Sequence, residues 1–89
     1  MKFHVLVEVR LRPGISDPQG ATIERALPAL GFDAVTGLKV GKAIRFDIEA
    51  PDQAEAYERA TEISDRLLAN TVIEEAVVTV GDKTLAATA

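Results

Sequence analysis

Cysteine and tryptophan are absent from this 89-residue sequence, and aromatic residues make up only 4% of it. Without cysteine there is no disulfide, no cysteine zinc finger and no iron–sulfur cluster to staple the fold. A chain this short buries only roughly 60–65% of its unfolded surface, so an unstapled core gains from a partner subunit. The scarcity of aromatics removes the stacking platform that single-stranded nucleic acid requires. Phe46 is the lone candidate for one, and it alternates with Ile44 and Ile48 as a core residue. Positive charge is also short: ten Lys and Arg face fourteen Asp and Glu, a net charge of −4. No cationic footprint for nucleic acid is expected from that balance. No apolar run approaches the ~20 residues of a membrane span. The start carries Glu8 and no small-residue cleavage site, so no signal peptide is expected and the expected address is cytoplasmic.

Catalytic material is equally thin, with one His, one Tyr and two Ser. A general base needs an orienting partner. His4 has only Glu8 on its own strand face, too far for a direct hydrogen bond, and reads as an exposed or interface residue. Glu74 and Glu75 are adjacent on an extended segment and point to opposite faces, so they do not converge on a metal. No GxGxxG or Walker pattern is present. We therefore expect no catalytic, cofactor-binding or metal-ligating residue.

What remains is pattern. Residues 2–12 alternate, with Phe3, Val5, Val7, Val9 and Leu11 on one face, as in a half-buried strand. Ser16-Asp17-Pro18 starts a helix: Ser16 or Asp17 caps it and Pro18 fits its first turn. The free amides there could also hold an anion, though the Asp17 side chain competes for them. Ile23, Ala26, Leu27 and Leu30 follow at helical spacing, and Gly31 ends the helix. Pro28 predicts a kink or an early tightening. Residues 34–42 read as a weaker strand, Gly41-Lys42 as a hairpin turn, and 43–50 as another strand. Asp52 caps a second helix with Glu55 as its box partner, and Ala56, Ala60, Ile63 and Leu67 form the apolar stripe. Asn70 ends it. Residues 71–73 are extended, Glu74-Glu75 interrupts, and 76–80 is the last strand.

The order is β-α-β-β-α-β. It predicts an α+β, ferredoxin-like domain over residues 1–80, with a tail at 81–89. Four antiparallel strands are expected, covered on one face by two helices. Leu6 on the wet face of the first strand, and the apolar 71–73 run, point to burial of the other face as well. The simplest cover is a second copy, so oligomerisation through the sheet is expected.

The words of the sequence also match a family. Leu11-Arg12-Pro13-Gly14-Ile15-Ser16-Asp17-Pro18-Gln19-Gly20 leads, followed by Leu30-Gly31-Phe32, Val40-Gly41-Lys42 and Phe46-Asp47-Ile48-Glu49. Leu67-Leu68-Ala69-Asn70-Thr71-Val72-Ile73-Glu74 closes the series. Together these closely resemble the PurS family, the small S subunit of phosphoribosylformylglycinamidine (FGAM) synthase. The resemblance spans roughly residues 2–80 and implies a non-catalytic subunit of a purine-pathway ligase. It would bridge a glutaminase subunit and a large ATP-dependent synthetase subunit and assist ammonia transfer. The subunit itself would hold no cofactor, while the complex would use ATP and magnesium. Its partners would be itself, as dimer or tetramer, and those two subunits, with no nucleic acid and no membrane. The signature positions Asp17, Gln19, Gly20, Gly41, Lys42 and Asn70 become the expected docking residues. A second reading stays open: a stand-alone dimeric regulatory domain binding an amino acid or nucleotide.

Overall fold

The computed structural model describes residues 1–81. Its elements are β1 (Lys2–Leu11), α1 (Pro18–Ala26), a 3₁₀ turn (Pro28–Leu30), β2 (Lys42–Glu49), α2 (Gln53–Ile63, continuing as a π-turn over Ser64–Leu68) and β3 (Glu74–Gly81). The expected tail at 81–89 lies outside the described residues from position 82 onward, and Gly81 still pairs with His4.

The alternation in β1 makes it the central strand. It pairs antiparallel with β2 on one side and β3 on the other. Phe3, Val5, Val7 and Val9 are all at most 5% exposed. Beside them in register stand Ile48, Phe46 and Ile44 on β2, and Val80, Val78 and Ala76 on β3. The opposite face carries Lys2, His4, Glu8 and Arg10 beside Asp47, Arg45 and Glu75. Among the described residues Leu6, Ala43 and Val77 break its polarity, so the second face is not the apolar surface expected for it.

Among the described residues the sheet has three strands, not four. Residues 34–41 form no strand, because their amides are claimed elsewhere. Leu38 N–H donates to Glu24 Oε1 at 2.8 Å, and Val40 N–H to Asp17 Oδ2 at 2.8 Å. The carboxylates of Asp17, which caps α1, and of Glu24 within it thus satisfy donors that a strand neighbour would have taken. Gly41-Lys42 makes no hairpin either, since Lys42 is already the first residue of β2, opposite Val9. Residues 71–73 form a turn, and Glu74-Glu75 opens β3 instead of interrupting it.

Among the described residues only α2 covers the sheet, packing mainly on β3. Asp52 caps it, accepting from Glu55 N–H at 2.8 Å. Ala56, Ala60 and Ser64 are fully buried and form its seam. The seam steps by four residues, which drifts around a regular helix. From Ser64 onward the chain winds wider as a π-turn, with Ala69 N–H on Ser64 C=O at 2.9 Å. Ile63 and Leu67, expected in the stripe, face outward, with Leu67 79% exposed.

The first helix does not share that face. α1 ends before Pro28, the chain tightens into the 3₁₀ turn, and Gly31 closes it at φ +92°. The segment from 16 to 40 is an arm that leaves Ile23, Leu30, Phe32 and Val35 exposed. The radius of gyration is 16.2 Å, whereas a compact domain of this length would have about 12 Å.

Candidate functional site

The expected docking residues gather at the β1 exit end of the sheet. Asp17 organises them. Its Oδ1 accepts from Gly20 N–H at 2.9 Å and caps α1, while its Oδ2 holds Val40. The amides of Val40 and then Gly20, helped by the charge of Lys39, keep its carboxyl below the usual carboxylate range against a desolvation that opposes them. Gly20 is buried where α1 meets the 38–40 segment. A Cβ there would stand 2.8 Å from Leu38 C=O. Gly41 lies close over β1, where a Cβ would stand 2.7 Å from Val9 C=O. Both glycines are required by close backbone approach, not by a turn.

Asp17, Gln19, Gly41 and Lys42 line one hollow of about 240 Å³, together with Glu74. Gln19 and Lys42 are exposed on its rim. Asn70 does not line the hollow but builds the turn beside it. Its Oδ1 accepts from Val72 N–H at 3.2 Å, and its own N–H donates to Glu74 Oε1 at 2.7 Å. Arg12 ties that turn to β1. Its N–H meets Ile73 C=O at 2.9 Å, and its Nε donates to Thr71 C=O at 3.1 Å. Three signature segments distant in sequence, 11–20, 40–42 and 67–74, therefore converge at one end of the sheet.

Two members were missed by sequence reasoning. Glu24 carried a usable signal, since it lies seven residues after Asp17 and so on the same helix face. Arg12 carried none, because its partner lies across the sheet.

His4 does have a partner. Its Nδ1 lies 2.6 Å from Asp47 Oδ1, across the β1–β2 register. This overturns the reading of an unpartnered imidazole, which looked only along one strand. The hydrogen bond from His4, aided by its charge and by Lys2, holds the Asp47 carboxyl below its ordinary range, with desolvation opposing. The pair lies on the open sheet face, away from the hollow. Among the described residues no three His, Asp or Glu side chains gather as metal ligands, and no helix is long and apolar enough to cross a membrane.

Comparison with known proteins gives consistent matches. The family model described as PurS, phosphoribosylformylglycinamidine (FGAM) synthase, matches residues 4–82. The PurS subunit of FGAM synthase from Synechocystis is 43% identical over 72 residues, covering 81% of this chain and 72% of that protein. The crystal structure of the purS subunit from Thermotoga maritima superposes with a TM-score of 0.84 at 35% identity, covering 91% of this chain and 93% of that one. A chain in the structure of PurLQS from the same organism superposes with a TM-score of 0.83 at 34% identity, covering 91% and 99%.

Proposed function

The chain belongs to the PurS family of FGAM synthase subunits in purine biosynthesis, and from that premise we propose that it bridges the glutaminase and the ATP-dependent synthetase subunits of that enzyme. The observation that carries this is the likeness, over 91% of the chain, to a member of the PurLQS structure. Similarity to a synthase subunit leaves the stand-alone regulatory reading without support.

The chemistry gives such a subunit a purpose. Ammonia released from glutamine is mostly protonated in neutral water, and ammonium is no nucleophile. A closed assembly that holds two active sites in register limits escape and protonation. The chain's part is to position its partners. ATP and magnesium belong to the synthetase subunit, and the assembly works in the cytoplasm.

The docking positions are Asp17, Gln19, Gly20, Gly41, Lys42 and Asn70. Asp17, Gly20, Gly41 and Asn70 shape the surface, and Gln19 and Lys42 present free side chains from it. A second copy of the chain completes the fold. Ile44, Phe46 and Ile48 are half-buried on the β2 side of the α2 face, and the arm carries apolar side chains with no cover. These complementary deficits support a dimer or tetramer built through the sheet and the arm.

The test is reconstitution from purified subunits. Glutamine-dependent FGAM synthesis should collapse without this chain and return when it is added. Full glutamine-dependent activity from the other two subunits alone would refute the bridging role.

A further inference from the structure

β2 is an edge of the sheet, with β1 on its inner side and, among the described residues, no strand on its outer side. A hairpin with residues 34–41 would have filled that place, but Glu24 and Asp17 hold the amides of Leu38 and Val40 instead. The groups left over can be named. Ala50 N–H donates to Met1 C=O, and the Met1 amino group to Ala50 C=O, both at 3.0 Å. Hydrogen-bonded and non-hydrogen-bonded pairs alternate along an antiparallel ladder. Ile48, Phe46 and Ile44 therefore bond inward to β1, while Glu49, Asp47, Arg45 and Ala43 turn their N–H and C=O groups outward. Arg59 Nη1 occupies Glu49 C=O at 3.0 Å. Among the described residues the outward groups of Asp47, Arg45 and Ala43 have no backbone partner.

Edges that stay single are usually interrupted by proline or a bulge. Lys42–Glu49 has no proline, and its register with β1 runs without a break. Its side chains favour its own copy as the neighbour. A twofold axis normal to the sheet makes the two β2 strands antiparallel and keeps like faces together. Centred on Phe46, it sets Arg45 beside Asp47 of the second copy, twice over, through the outward backbone groups of both residues. On the α2 face it sets Phe46 against Phe46 and Ile44 against Ile48. All three are only half-buried within one chain. Moving the axis by one residue either way sets Arg45 against Arg45 or Asp47 against Asp47, and like charges directly opposite are destabilising.

We propose that two copies of the chain join β2 to β2 about a twofold axis at Phe46, making one six-stranded sheet. Both α2 helices then lie on the same face, with the apolar residues of both β2 strands as a strip between them. Asp47 stands between His4 of its own chain, at 2.6 Å, and Arg45 of the second copy. The inference rests on the self-assembly read above and names its contact and register.

The experiment uses the full chain, which has no cysteine, so an introduced thiol reports one position. Phe46→Cys should give a disulfide-linked dimer on mild oxidation. Residues facing each other at a non-hydrogen-bonded site stand about 4.5 Å apart between Cα atoms, and a disulfide spans roughly 4.4–6.8 Å. Ala43→Cys and Glu49→Cys are exposed and test the same register with Phe46 untouched. Mixed, they should form a disulfide between positions 43 and 49. Alone, neither should, because like positions lie about 20 Å apart. Arg45→Glu, which faces Asp47 with a like charge, should weaken dimerisation roughly tenfold at about 50 mM salt. An unchanged dissociation constant for folded Arg45→Glu would overturn the proposal. A dimer that persists with no disulfide from Phe46→Cys, nor from the mixture, would overturn this contact and leave self-assembly standing. So would a disulfide from Arg45→Cys alone or Asp47→Cys alone, which moves the register. A photoreactive maleimide on the Ala43→Cys thiol that labels only a glutaminase or synthetase subunit in the reconstituted complex would give the edge to that subunit instead. A wild-type chain that stays monomeric at micromolar concentration would overturn the self-assembly reading with it.

Discussion

Asp17 joins three segments with two oxygens, and its removal should be felt twice. Asp17→Ala loses a helix cap, worth roughly 0.5–2 kcal/mol. It also leaves the Val40 amide without its acceptor, at roughly 1–3 kcal/mol when such a group is buried. The site is only half-buried, so a total near the lower end is expected in chemical denaturation. Gly20→Ala sets two effects against each other. Alanine gains about 1 kcal/mol in a helix, but its Cβ would stand 2.8 Å from Leu38 C=O and 2.5 Å from Asp17 Oδ2. Overpacking costs about 1–3 kcal/mol, so the variant should be less stable than the parent. Gln19→Ala and Lys42→Ala, exposed on the rim, should stay within about 0.5 kcal/mol of it. Acid acts through the same groups. Asp17 and Asp47 both titrate below their ordinary value in the native state. Their stabilisation is full above the unfolded carboxylate pKa of about 3.9 and is lost as pH falls through the lower native values. Unfolding midpoints should therefore drop below about pH 4, and Asp17→Asn should flatten that drop. His4→Ala should leave synthase activity of the complex within about tenfold, whereas losing a general base typically costs roughly 10²–10⁴-fold. A thousandfold loss with assembly intact would assign His4 and Asp47 a chemical role.

At the scale of elements, α2 depends on small side chains. Ala56 and Ala60 bring its backbone close to the valines of β1, and the buried Ser64 hydroxyl is satisfied by donating to Ala60 C=O at 2.8 Å. Ala60→Leu should destabilise by roughly 1–3 kcal/mol, since the seam has no space for a branched chain. Thermal melting compared with an exposed Ala54→Leu control would check it. The elements with strong local signals were legible: the alternation of β1 and β2, the Asp52 cap, the Gly31 stop and the break at Pro28. The misreadings share a cause. Residues 34–41 look like a weak strand, but their amides go to carboxylates of Asp17 and Glu24, which lie more than a dozen residues earlier. Ile63 and Leu67 match a regular helical stripe, but the buried seam runs through Ala56, Ala60 and Ser64, and the π-turn that follows it leaves no mark in composition. The fold places Asp17, Gln19, Gly41 and Lys42 around one hollow, with Gly20 buried behind it and Asn70 in the turn beside it. Their individual reasons were not legible, because Gly20 and Gly41 answer to backbone carbonyls remote in sequence.

At the scale of the whole molecule, an elongated chain with extents of 51 × 31 × 14 Å carries Leu30 at 70% and Phe32 at 59% exposure. Light scattering at micromolar concentration should report an oligomer, and Leu30→Ser with Phe32→Ser should shift it towards monomer while the circular dichroism of the sheet persists. A wild-type monomer would refute the self-assembly. The strand order has one more consequence. β1 is the middle of the sheet, yet its partners arrive late: Lys2 pairs with Glu49, and Val5 with Val80. During synthesis the central strand leaves the ribosome before both of its partners and waits, both edges bare, until β2 and then β3 have been translated. Such long-range pairing slows folding and exposes strand edges to aggregation. Yield in the cell should therefore depend on chaperones that shield nascent chains, and on the speed of translation through the arm, more than on the stability of the finished fold.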